Sequence, residues 1–240
     1  RNAGKLYIVL PEEFGWLPIH TLRGNGGTVG SWVNTSYLPS SAALLLNPRK
    51  PERIVQKVLG LGHPGKTTWD VEYELKDIRG FYDAAGMLFD TTATVRHLID
   101  STFDVLHIAA EYYLDRAVPE NSHIVVSDGA TPFGLRSVPL GEMLSVPVPQ
   151  TLVFSNISPV TGGLSRYAPL AFLANGTNTV IATMWQGDRR AKKYFGEGFY
   201  TGLLGGLTSS ESYQSAVVAM TKRDEFSHVQ RWGLYYQFGK

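Results

Sequence analysis

Two stretches carry side chains whose chemistry could be joined. Asp104–Tyr112 (DVLHIAAEY) places His107, Glu111 and Tyr112 near the end of an apolar run, and Leu152–Ser158 (LVFSNIS) places Ser155, Asn156, Ile157 and Ser158 near the end of another. A hydroxyl, an imidazole and a carboxylate are the parts of a nucleophile, its base and the group that orients the base. Ser155, Ser158 or Thr161 could supply the hydroxyl, with His107 and Glu111 across a crevice. Side chains alternate along a strand, so His107, Ala109 and Glu111 share a face only while the strand stays regular. The plainer reading makes Ser155 a buried hydroxyl bonded to backbone and His107 a satisfied core histidine. Glu111 is then a strand-end carboxylate paired with Arg116 or Arg166. Thiol chemistry is excluded, because the chain has no cysteine and therefore no thiolate nucleophile, disulfide or thiolate metal site.

Other motifs are weaker. Gly24-Asn25-Gly26-Gly27 lacks the spacing of a phosphate loop, and Gly60–Thr67 (GLGHPGKT) ends in Gly-Lys-Thr but contains Pro64 and follows no expected strand, which reads as a solvated loop. The six histidines show no H-x-x-x-H or H-E-x-x-H spacing, so no metal and no cofactor is expected. Arg189, Arg190, Lys192 and Lys193 lie near the start of a long helix and read as a solvated face; alternatively Arg189 and Arg190, with the loop after Trp185, hold a small anion.

Elements must place these residues. The chain has 240 residues, 43% hydrophobic and 18% charged, with 22 Lys plus Arg against 21 Asp plus Glu. That is a globular balance, and a net charge of +1 gives no reason to expect nucleic acid or an anionic membrane as partner. The apolar runs fall short of the ~20 residues that span a bilayer. The first residue is Arg1 rather than Met, so we expect the C-terminal part of a longer protein. Strands are expected at Lys5–Leu10, Ser31–Leu38, Met87–Phe89, Phe103–Ala109, Ser122–Ser127, Thr151–Ile157, Thr177–Trp185 and Trp232–Phe238. Helices are expected at Trp69–Ala84, Thr92–Ser101, Pro139–Val146, Ser165–Asn175, Asp188–Gly205 and Ser209–Lys222. Asn47–Thr68, rich in Pro, Gly, Lys and Arg, is expected to be a mobile insertion, with a short helix at Glu52–Leu59. Strands apolar on both faces and separated by helices imply one α/β domain, a mostly parallel sheet of about six core strands with helices on both faces. Its ligand crevice would lie beyond the carboxyl ends of the strands, after Ala109, Ile157 and Trp185.

At the two strand ends the sequence resembles the CHAT domain family of the caspase, separase and gingipain-like clan of cysteine peptidases. That family carries roughly D-x-L-H-x-A-T-H-G on the first strand, the second histidine being the base, and L-x-L-S-A-C-x-T-G on the second, the cysteine being the nucleophile. Leu17–Leu22 (LPIHTL), Val33–Ser40 (VNTSYLPS), Ile124–Gly129 (IVVSDG), Leu170–Trp185 (LAFLANGTNTVIATMW) and Glu211–Met220 (ESYQSAVVAM) are similar to further family segments in the same order. The resemblance implies a caspase-like three-layer sandwich over residues 1–240.

The departures shape the expected function. His107 aligns with the family's non-catalytic histidine, the base falls on Glu111 with Tyr112 after it, and the nucleophile falls on Ile157. The resemblance therefore implies a degenerate member with no catalytic residues. Such a pseudopeptidase would bind a protein or peptide in the strand-end crevice, in a bacterial, cytoplasmic, regulatory or defence assembly. The alternatives are a hydrolase rebuilt on serine and a small-anion sensor. An exposed aromatic cluster at Trp232, Tyr235, Tyr236 and Phe238 would mark an interface, and an edge strand is the plainer reading. Oligomeric state is left open.

Overall fold

The computed structural model describes residues 4–11, 14, 17–38, 40–41, 43, 54–62, 68–81, 86–89, 94–96, 102–110, 112–113, 115, 118, 121–130, 134–144, 149–155, 167–185 and 187–239. In chain order the strands are β1 (Lys5–Val9), β2 (Arg23–Gly24), β3 (Gly27–Thr28), β4 (Asn34–Leu38), β5 (Val58–Gly62), β6 (Gly86–Phe89), β7 (Val105–Ile108), β8 (Tyr112–Tyr113), β9 (His123–Ser127), β10 (Leu135–Pro139), β11 (Thr151–Phe154), β12 (Thr179–Thr183) and β13 (Tyr235–Gly239). The helices are α1 (Val29–Trp32), α2 (Thr68–Phe81), α3 (Leu140–Met143), α4 (Tyr167–Ala174), α5 (Arg189–Leu204), α6 (Ser209–Thr221) and α7 (Val229–Trp232).

Eight strands form the central sheet in the order β1-β4-β13-β12-β11-β7-β5-β6. Every described pairing is parallel except β12 with β13. Alternation sends Leu59, Leu61, Leu106, Ile108, Leu152 and Phe154 to one face, against α3, α4 and the β9–β10 hairpin. It sends Val58, Val105, Ala109, Val153 and Ile181 to the other, against α2, α5 and α6. This is a three-layer α/β sandwich with helices on both faces. Asp188 caps α5 by accepting from the Ala191 amide at 2.8 Å, and Thr208 with Glu211 forms a capping box on α6. No helix among the described residues is long and apolar enough to cross a membrane.

The central sheet exceeds the expected six strands partly because Val58–Gly62, placed by sequence inside an insertion and overlapping the expected short helix Glu52–Leu59, is a wholly buried strand, and the described residues 54–57 before it are not helical. Its Leu-Gly-Leu-Gly alternation puts both leucines on one face, and the Asp104 carboxylate accepts from the Gln56 and Lys57 amides at 2.8 and 3.0 Å to pin it beside β7. The glycines leave the other face bare. A Cβ on Gly62 would lie 2.4 Å from Leu75 Cδ1 and 2.8 Å from Val71 Cγ1, so α2 sits directly on the strand. Gly62→Val is expected to overpack this contact and cost about 1–3 kcal/mol, read as a lowered urea midpoint.

Three further expectations are corrected. Val29–Trp32 is a helical turn, so the second strand begins at Asn34 rather than Ser31. Pro139, expected to open a helix, instead ends the strand Leu135–Pro139, which pairs antiparallel with β9, and the helix starts at Leu140. Trp232, Tyr235, Tyr236 and Phe238 are 5% exposed or less, and β13 lies between β4 and β12 rather than at an edge, so they are core and not an interface. The rest of the expected insertion at 47–53 and 63–67 lies outside the described residues, as does most of the expected helix 92–101.

His20 ties the N-terminal segment to this core. It is fully buried, with Tyr37 Oη 2.7 Å from Nδ1 and the Gly233 carbonyl oxygen 3.1 Å from Nε2. The carbonyl can only accept, so Nε2 carries the proton and the Tyr37 hydroxyl donates to Nδ1. The Tyr236 ring stands edge-on at 4.8 Å. Burial drives the His20 pKa down to about 3, with the Gly233 bond offsetting it only in part.

Candidate functional site

His107 is the third residue of β7, on the face covered by α2 and α5. It pairs in register with Gly60 of β5 and Val153 of β11. Ser155, two residues after Val153, projects to the same face, and its amide donates to the Ile108 carbonyl at 3.1 Å. Close seating of α2 on Gly62 brings Glu74 down over the strand, and α5 brings Tyr200.

These four side chains form one buried network. Glu74 Oε1 lies 2.9 Å and Ser155 Oγ 3.1 Å from His107 Nε2, while Tyr200 Oη lies 2.7 Å from Nδ1. His107 is 4% exposed, Ser155 2% and Tyr200 1%. Burial pushes the Glu74 carboxyl up, but the His107 hydrogen bond, the Lys192 charge and the Ser155 hydroxyl together outweigh it and hold the pKa at about 2. An ionised carboxylate only accepts, so Nε2 carries the hydrogen, and with a neutral ring Tyr200 donates to Nδ1.

That tautomer decides what the network can do. Ser155 faces a nitrogen that already holds its proton, and its own single hydroxyl hydrogen has two acceptors to serve, the Glu74 carboxylate and the Ile108 carbonyl at 3.3 Å. In a serine nucleophile the base must accept from the hydroxyl while the carboxylate holds the opposite ring nitrogen. Here carboxylate and hydroxyl crowd the same nitrogen and a tyrosine takes the other. The arrangement is a polar clamp between helices and strands. A cavity of about 30 Å³ adjoins it, large enough for a water or two.

Of the residues singled out in the sequence, the structure places His107 and Ser155 3.1 Å apart. Tyr112 lies in β8 and pairs with Ile124 of β9, in the three-stranded sheet β10-β9-β8 rather than the central one. Glu111, Asn156, Ile157, Ser158 and Thr161 lie outside the described residues. The sequence reading missed Glu74 and Tyr200. The available signal was a carboxylate within the apolar stripe Val71, Leu75, Ile78 of α2. Tyr200 adjoins the stripe Phe195, Phe199, Leu203 of α5, all of it buried.

The basic run on α5 is largely committed to neighbours. Arg189 stacks 3.8 Å from the Tyr73 ring centre, Arg190 pairs with Glu225 at 2.8 Å, and Lys193 lies 3.8 Å from Asp77 and 3.9 Å from Glu197. Lys192 supplies positive charge to Glu74. Among the described residues no group of three or more His, Asp or Glu is arranged to hold a metal ion.

The family model described as CHAT domain matches residues 1–240, the whole chain. The protein belongs to the CHAT domain family. Over 69 residues this CHAT domain is 35% identical to tetratricopeptide repeat protein 28 of Mus musculus and 33% identical to its Homo sapiens counterpart. The match covers 29% of the chain and 3% of either relative, so the CHAT domain corresponds to a small part of those proteins. Two solved structures are similar in course. The Arg-specific cysteine proteinase gingipain R gives a TM-score of 0.48 at 12% identity, over 92% of this chain and 57% of that one. The complex of Porphyromonas gingivalis RgpB pro- and mature domains gives 0.49 at 8% identity, over 87% and 55%.

Proposed function

We propose that this CHAT domain is a catalytically inactive pseudopeptidase that binds a protein or peptide partner and serves as a regulatory domain in a bacterial, cytoplasmic signalling or defence assembly. The observation that carries the reading is the absence of cysteine from all 240 residues, with Ile157 where the family motif places its nucleophile and Glu111 where it places its base. An isoleucine offers no electron pair for attack, and a carboxylate beside a thiol would raise rather than lower its pKa. The histidine that is present, His107, is held by Glu74, Tyr200 and Ser155. A groove that no longer cleaves can still hold an extended segment against strand ends.

Labelling tests this. The full-length protein is expected to react with neither a thiol-directed nor a fluorophosphonate probe, and to recover a stoichiometric, uncleaved partner when captured from its own cells. Fluorophosphonate labelling that disappears in Ser155→Ala or Ser158→Ala would overturn the reading in favour of a rebuilt serine hydrolase. Partners recovered as defined fragments would do the same.

A further inference from the structure

A groove on the far side of α6 has no part in the clamp. The β2–β3 hairpin and α1 form one wall, and the C-terminal end of α6 with the turn before α7 forms the other. Its volume, about 540 Å³, is that of a small-molecule site, typically about 300–1000 Å³.

Trp32 dominates it. A Cβ on Gly24 would lie 2.5 Å from Trp32 Cη2, and one on Gly27 would lie 2.7 Å from Nε1. Nε1 and Cη2 lie along one long edge of the indole, so that edge runs along the hairpin, which must be glycine to admit it. Trp32 is nonetheless 45% exposed and lines the groove, so ring surface remains for a ligand. Arg23 and Lys222 also line the groove, and neither has an ion-pair partner among the described residues. No Asp or Glu lines it. The Thr221 and Ser227 hydroxyls donate to the Val218 and Asp224 carbonyls, each at 2.9 Å, and so turn oxygen lone pairs outward as acceptors.

A half-exposed indole, two cations without an ion-pair partner among the described residues and two hydroxyl acceptors are the complement of a planar ring bearing amino groups and an anion. We propose that this groove binds a nucleoside phosphate, with the base stacked on Trp32 and the phosphate between Arg23 and Lys222. Two cations on a chain of net charge +1 suit one nucleotide rather than a polymer, whose backbone needs an extended basic track. None of the groove's lining residues belongs to the His107 network, and the proposal does not depend on the pseudopeptidase reading.

Calorimetry of the full-length protein tests it, with ADP, adenosine, inorganic phosphate and an acidic peptide containing tyrosine as probes. ADP is expected to bind saturably and more weakly as salt rises, with adenosine and phosphate each weaker by about tenfold or more. Arg23→Glu with Lys222→Glu is expected to lower ADP affinity by at least about tenfold, while Arg136→Glu, a charge reversal elsewhere, leaves it unchanged. Both side chains are exposed, so the double variant is expected to melt as the parent does, and it keeps the test independent of any loss of folding in Trp32→Ala. The proposal is overturned if neither ADP nor the other common nucleoside diphosphates bind at about 5 mM. It is equally overturned if phosphate alone matches ADP, if ADP affinity survives the double reversal, or if the acidic peptide binds and ADP does not.

Discussion

Glu74→Ala is expected to destabilise the domain by about 2–3 kcal/mol. The side chain is 13% exposed, and its removal leaves His107 Nε2–H facing only the Ser155 oxygen. The cost arises because a buried donor loses a charged acceptor, not because the pair itself is worth that much. Glu74→Gln separates the two: its amide oxygen still accepts from Nε2, so about 1 kcal/mol is expected. Tyr200→Phe removes the donor to Nδ1 and is expected to cost about 1–3 kcal/mol. The double variant Glu74→Gln, Tyr200→Phe should depart from additivity, since both act on one ring. Urea denaturation at pH 7 gives all four values, and a Glu74→Ala loss below about 1 kcal/mol would refute the clamp.

Stability is expected to fall steadily as pH drops from 6.5, by up to about 1.4 kcal/mol per pH unit. The cause is His20, which in the unfolded chain takes up a proton below 6.5 but in the native state stays neutral down to about 3. Its folded pKa is depressed, so its contribution is whole above 6.5 and is lost as pH falls towards 3. Glu74 adds a second, lower window. Its carboxyl is held at about 2 against an ordinary 4.5, so its contribution is whole above 4.5 and drains as pH falls towards 2. Between 6.5 and 4.5 the two therefore separate. His20→Gln cannot titrate; it should start less stable at pH 7 yet lose the slope in that upper window, while Glu74→Gln keeps it. Urea midpoints measured at half-unit steps decide this, and a His20→Gln profile parallel to the parent's would refute the assignment.

What the sequence revealed follows from how local each signal is. The strand Thr179–Thr183 and the helices Arg189–Leu204 and Ser209–Thr221 were readable because apolar spacing and caps lie within the segments themselves. Val58–Gly62 was hidden because two of its five residues are glycines and its neighbours are Pro, Gly, Lys and Arg, which suggest a loop; only the tight seat of α2 explains those glycines. The position of Tyr235–Gly239 was hidden because an apolar strand reads the same at an edge as at a centre. His107 and Ser155 could be read as a pair from the ends of two apolar runs. Glu74 and Tyr200 could not, since they reach His107 from 33 and 93 residues away, and although their places beside apolar stripes turn them inward, nothing local says which strand residue they meet.

The antiparallel pairing of β13 has a bearing on synthesis. Strands β1 and β4 run one way, β12, β11, β7, β5 and β6 run the other, and β13 alone joins them, pairing with Thr179–Thr183 on one side and Tyr37 on the other. A ribosome delivers both groups of strands well before it delivers residues 235–239. Until those residues emerge, β4 and β12 each present a raw edge, and each is a place where a nascent chain can pair with the wrong neighbour. The growing protein thus carries two half-sheets that close in a single late event, and the interval before that closure is when a chaperone holding extended segments would matter most.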